Sequence, residues 1–209
     1  MQLILGTAYW PNLVYLYSLL NYKTIIDVGE NYTKQSYKNR TCILNSNGVQ
    51  NLIIPVQKFK NHTPVSQIKI CYKENWQNNH YKSINSAYKN SPFFDFFEDE
   101  IKSIYLSKVE TLFEFNLLQL NTIERLLRVK FENTLSNQYI DSTANNIDLR
   151  NILHPKKQWT NNNLGLNFDT SKPYYQTFKN DKNFTPNLSC LDLIFNCGMA
   201  TKDYLSFVN

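Results

Sequence analysis

A chain of 209 residues is long enough for one domain with a sizeable core, and its content of 42% hydrophobic and 14% aromatic residues excludes wholesale disorder. The net charge of +5 is scattered (Lys34, Lys38, Arg40, Lys58, Lys60, Lys156, Lys157) instead of gathered in a run. That argues against a dedicated nucleic-acid binder and supports only a modest preference for anionic ligands.

The first twenty residues are apolar, but no cationic segment precedes them, and Gly6, Thr7, Pro11 and Asn12 interrupt the run. A strand at Leu3 to Leu5, a turn at Pro11 and a helix with Leu13, Leu16, Tyr17 and Leu20 inward are expected, with no membrane span or signal peptide and a cytoplasmic location. "TIIDVG" (24 to 29) reads as a second buried strand, giving a βαβ-like start. The polar segment "ENYTKQSYKNRT" (30 to 41) then lies just beyond a strand end, where open α/β sheets place ligand sites.

Asn47-Gly48 between two apolar runs predicts a hairpin over 41 to 56, and "VSQIKICY" alternates like a further strand. Three amphipathic helices follow. The first carries Trp76, His80, Ile84 and Tyr88. The second is capped by Ser91 and carries Phe93, Phe97, Ile101 and Ile104, and the third covers about 107 to 130. Residues 131 to 173 read as loops with a short helix near "IDLRNILH". "YYQTF" reads as a last strand, and Asn187 or Ser189 caps a final helix ending at Gly198. The expectation is a mixed α/β fold in one domain, residues 1 to 209, with a small mixed sheet and several amphipathic helices.

Four separated cysteines (Cys42, Cys71, Cys190, Cys197), without a C-x-x-C pair, and three histidines signal neither disulfides nor zinc. No metal or other cofactor is expected. No phosphate loop, G-x-G-x-x-G, G-x-S-x-G or H-E-x-x-H is present, which weighs against kinases, ordinary dehydrogenases and serine hydrolases of the common folds.

Three constellations carry chemistry. His154 in "HPKKQW" is a proton shuttle or, more blandly, a surface histidine in a basic turn. Segment 30 to 41 is an exposed loop, or else a site where Glu30, Gln35, Asn39 and Arg40 converge on a polar ligand between Tyr32 and Tyr37. Asp192, flanked by leucines, must face out or have a buried partner, and Asn196 lies about one turn away. Cys197 as a nucleophile is weaker, because free cysteines are more often buried filler.

The segments "TAYWPNLVYL" (7 to 16), "ENYTKQSYKNR" (30 to 40), "LIIPV" (52 to 56), "NWQNNHYKSINSAYKNSPFF" (75 to 94), "HPKK" (154 to 157) and "PNLSCLDLIFNCG" (186 to 198) resemble the WbqC-like family, in its shorter Bacteroidetes-type branch, nearly end to end. The broader family opens like Q-P-x-Y-F-P-W-x-G, whereas Gly6, Thr7 and Ala8 stand here in place of its polar start and Asn12 where Trp is common. No role of that glutamine or tryptophan carries over. The resemblance implies a bacterial gene context of O-antigen polysaccharide, with aminoacyl or acyl transfer to amino sugars as the suggested activity.

Joined to the residues, this predicts a pocket made by Tyr9, residues 30 to 40, the His154 turn and the Asn187 to Asn196 helix. His154, with Glu30 and Asp192, would carry catalysis. Lys34 and Arg40 would hold an anionic donor or sugar-nucleotide phosphate, and Tyr9, Tyr32, Gln35, Tyr37, Asn39, Lys156, Asn187 and Asn196 would bind substrate. A non-catalytic module binding a glycan, nucleotide or protein is the alternative, and RNA binding a weaker one.

Overall fold

The computed structural model describes residues 2–143, 145–157, 164–169, 171–178 and 184–206. Strand β1 (Gln2–Leu5), helix α1 (Leu13–Asn21) and strand β2 (Lys23–Ile26) form the expected parallel βαβ start, with Leu3 opposite Thr24. Helix α1 begins where Asn12 accepts a hydrogen bond from the Tyr15 N–H, and it buries Leu13 through Leu19. Hairpin strands β3 (Arg40–Asn45) and β4 (Gly48–Ile53) pair antiparallel. Gly48 has φ 103°, which supplies the positive φ that the tight turn demands.

Helices α2 (Trp76–Tyr88), α3 (Phe94–Leu106) and α4 (Leu112–Leu127) follow. The third is shorter than its apolar pattern, because a reciprocal capping box between Thr111 and Glu114 fixes its start and left-handed Arg128 ends it. Helix α5 (Cys190–Cys197) is capped by Ser189, and α6 (Thr201–Leu205) closes the described chain. Phe115, Ile123, Leu191 and Phe195 join the α1 side chains in one apolar core.

Four expectations change. "VSQIKICY" forms a 3-10 turn at Val65–Gln67 and two isolated bridges, so its backbone pairs locally without a ladder. Ser91 caps no helix: its N–H donates to the Tyr88 carbonyl in a turn, and α3 starts after Phe93. Residues 131 to 173 contain the strands β5 (Asn133–Leu135) and β6 (Asn146–Asp148), and "IDLRN" runs from a strand into a turn, not a helix. Residues 174 to 178 form no strand.

Strands β5, β2, β1 and β6 make one parallel sheet in that order. The chain builds leftward from β1 through β2 to β5, then crosses to the other side of β1 for β6. The β1/β6 boundary is therefore a topological switch point, and a crevice opens beyond the carboxyl ends of those two strands. Among the described residues no helix is long and apolar enough to cross a membrane.

Candidate functional site

Two connected cavities occupy that crevice. An inner recess of about 20 Å³ is lined by Leu5, Gly6, Thr7 and Ala8 after β1, Asn12 and Tyr15 of α1, Tyr37, and Leu149 and Leu153 after β6. An outer cavity of about 410 Å³ is lined by Glu30, Asn31, Thr33, Tyr139, Asn151, His154 and Lys157. Ser36, Lys38 and Arg150 border both. The outer volume suits a sugar-sized ligand.

The floor is held by charge. Arg150 bonds Asp148 of β6, with Nη2 at 2.5 Å from Oδ2, and reaches across β1 to Asp27, which directly follows β2 and is fully buried. Burial alone would raise the Asp148 carboxyl, but its hydrogen bonds from Arg150 and the guanidinium charge outweigh that and hold it below its ordinary value. Asp27 also accepts from the Gly29 N–H and the Ser136 hydroxyl, pinning segment 136 to 140 over the site. The Arg150 guanidinium lies 4.5 Å from the Tyr139 ring centroid, so Tyr139 forms an aromatic wall.

A second ion pair borders the cavities through Lys38 and Glu30. Lys38 Nζ lies 3.1 Å from Glu30 Oε2, with only 7% and 6% of the two side chains exposed. Burial raises the Glu30 carboxyl above its ordinary value, although the Lys38 charge and hydrogen bond pull it down. Glu30 Oε1 has no hydrogen-bond partner among the described residues. A Cβ on Gly6 would stand 2.0 Å from that oxygen, so only glycine lets the carboxylate lie there.

His154 sits on the outer cavity at the turn after β6, and its Nδ1 accepts from the Lys156 N–H at 3.2 Å. Burial, and then the charges of Lys157, Lys38, Lys156 and Arg40, lower its pKa, which keeps the imidazole neutral near pH 7. Trp159 of the same motif lies outside the described residues.

Segment 30 to 40 and the His154 turn thus border one cavity. Tyr37 lines the recess, and its hydroxyl accepts from Asn187 Nδ2 at 3.1 Å. Several other predicted residues lie elsewhere. Tyr9 is fully buried in the core, its hydroxyl bonded to His80 Nδ1 at 2.8 Å and to the Tyr105 hydroxyl at 2.7 Å. Tyr32 packs edge-on against Phe59, and exposed Lys34 holds its ammonium 5.4 Å from that same ring centroid. Gln35 is exposed in a left-handed turn, and Lys156 is exposed beside His154. Asn39 spends its amide on the Ile54 carbonyl, and Arg40 begins β3 without lining either cavity.

Asp192 and Asn196 form a separate buried cluster in α5. Asp192 accepts from the Tyr174 hydroxyl and Gln176, while Asn196 donates to the Asp192 carbonyl. Sequence reasoning missed Asp27, Asp148, Arg150 and Tyr139, and it gave Lys38, inside the predicted pocket segment 30 to 40, no role of its own. The available signal was an aspartate directly after the apolar stretch "TII", whereas Asp148 in the polar "NNID" left none. No group of three or more His, Cys, Asp or Glu placed to hold a metal occurs among the described residues.

A curated Mycobacterium tuberculosis protein, uncharacterized protein Rv1507c, is 26% identical over 205 residues, with 84% of each chain covered. No solved structure matches. The model of the WbqC-like protein family matches residues 8–204, a span holding both the Glu30 to Lys38 wall and the His154 turn. On that match the chain belongs to the WbqC-like protein family.

Proposed function

We propose that the chain is a transferase that moves an acyl or aminoacyl group from an activated anionic donor to the amine of an amino sugar, with His154 as general base. One observation carries the reading: Glu30, Lys38, Arg150, His154 and Lys157 border a single open cavity at the switch point of the sheet. The acceptor nitrogen attacks the donor's carbonyl carbon and a C–N bond forms. The bond from that carbon to the donor's carrier breaks, and the carrier leaves with its electron pair. The proton lost by the nitrogen passes to neutral His154. Lys38, held by Glu30, faces the negative charge that develops on the carbonyl oxygen. Lys157, on the outer cavity, takes the anion-binding role that Lys34 and Arg40 do not line the cleft to fill. The reaction would serve surface polysaccharide synthesis of the O-antigen type and draw on cytoplasmic donors.

A second reading, a module that binds a glycan, nucleotide or protein without chemistry, is favoured by one fact. Among the described residues no carboxylate hydrogen-bonds His154, so the ring lacks the orienting partner usual for a base. Incubation of purified protein with sugar nucleotides and acyl or aminoacyl donors, read by mass spectrometry, separates the two. Transfer that falls about 10²- to 10⁴-fold in His154→Ala supports the base. Full activity in that variant removes it, and saturable binding without product favours the module.

A further inference from the structure

The inner recess is a chemically different space from the cavity in front of it. Its walls are mostly apolar (Leu5, Ala8, Leu149, Leu153), whereas the outer walls are polar or charged. At about 20 Å³ it has room for one or two groups the size of a methyl, since about 10–15 Å³ is enough for a water. The backbone N–H groups of Gly6, Thr7 and Ala8, which border it, meet no acceptor among the described residues. Lys38, on the shared wall, has Glu30 as its ion-pair partner. Beside Gly6, the buried Glu30 Oε1 is an acceptor without a donor, which turns an acyl oxygen away from itself and toward Lys38 and the amides. Open amide donors and a lysine beside a small apolar hollow mark a place for an acceptor oxygen with a short alkyl end.

We infer that the recess receives the acyl end of the donor and admits chains of roughly two carbons, its carbonyl or carboxylate oxygen facing Lys38 and the Gly6 to Ala8 amides. This rests on the transferase reading and narrows its substrate class to short acyl donors of the acetyl or formyl kind, with the carrier and the acceptor lying in the outer cavity. Large aminoacyl side chains do not fit.

The test uses the full chain and free carboxylates as probes, so it does not depend on turnover. Formate and acetate are expected to shift the Thr7 and Ala8 amide resonances saturably, with butyrate and hexanoate weaker by about tenfold or more. Leu153→Ala is expected to move the cut-off to longer chains, and Ala8→Val to abolish acetate binding while thermal unfolding remains cooperative. Affinity that rises steadily with chain length in the unsubstituted protein overturns the inference, as does the absence of any shift at Thr7 and Ala8. The same acyl groups, presented as thioesters, separate the two proposals. A cut-off in binding without product sinks the transferase alone, and turnover indifferent to acyl length sinks the recess alone.

Discussion

Glu30 and Asp192 are both carboxylates almost wholly removed from water, yet their surroundings differ in kind. Asp192 Oδ2 accepts from the Tyr174 hydroxyl at 2.6 Å and from Gln176 Nε2 at 3.1 Å, and Gln176 is itself tied to both backbone groups of Thr185. That network is closed, built from neutral donors, and it stitches α5 to the segment at Tyr174. Glu30 has a cation for a partner, one oxygen without any, and a cavity on each side of its lysine. Burial alone therefore does not separate a carboxylate with closed hydrogen bonding from one left open beside a cavity. The completeness of its hydrogen bonding, and the space beside it, does.

The strongest way to break this contrast is to remove Lys38. Lys38→Met leaves Glu30 charged, buried and unpaired, and is expected to cost about 3–5 kcal/mol in urea unfolding at pH 7. The double variant Lys38→Met with Glu30→Gln is expected to regain most of that, because no charge remains in the hollow. A single variant as stable as the parent would mean that the pair is solvated.

Asp192 sharpens the comparison through pH. Burial raises its pKa to about 6 from an ordinary 3.8, so the folded state holds this proton more tightly than the unfolded chain does. Its contribution favours folding at low pH and is lost as pH rises from 3.8 to about 6, on the order of 3 kcal/mol across that window. His80 runs the other way. Burial lowers its pKa to about 4, so stability is lost as pH falls from 6.5 towards 4. The quantity to measure is the difference between the parent and Asp192→Asn in unfolding free energy over pH 4 to 7. That difference is expected to change across the window, and a constant offset contradicts it. Gly6→Ala is the smallest of the three. Its Cβ would collide with Glu30 Oε1, and a cost of about 1–3 kcal/mol is expected, with loss of acetate shifts at Thr7 and Ala8.

The βαβ start, the Asn-Gly hairpin and helices α2 to α5 were legible because apolar period and turn chemistry are local signals. So was the idea that segment 30 to 40 stands beyond a strand end, and the structure brings it beside His154. Strands β5 and β6 were not legible. Each is three residues long and polar, and each is held in the sheet by partners more than a hundred residues away in sequence, an interaction that leaves no periodicity. The Arg150 bridge to Asp27 was hidden for the same reason. Tyr9 misled because an aromatic beside a turn looks the same whether its hydroxyl meets a ligand or, as here, His80 and Tyr105. The pairing of Asp192 with Tyr174 required knowing that residues 174 to 178 run as an irregular segment.

The order of the sheet also governs how the protein is born. During synthesis β1, α1 and β2 emerge from the ribosome early and can dock on one another, but the wall formed by Leu149, Arg150 and His154 is translated more than a hundred residues later. Until β6 slots in beside β1, Asp27 has no guanidinium to meet and the crevice has only one side. A nascent or truncated chain without β6 therefore has no two-sided crevice, and the cavity is complete only once that strand has joined.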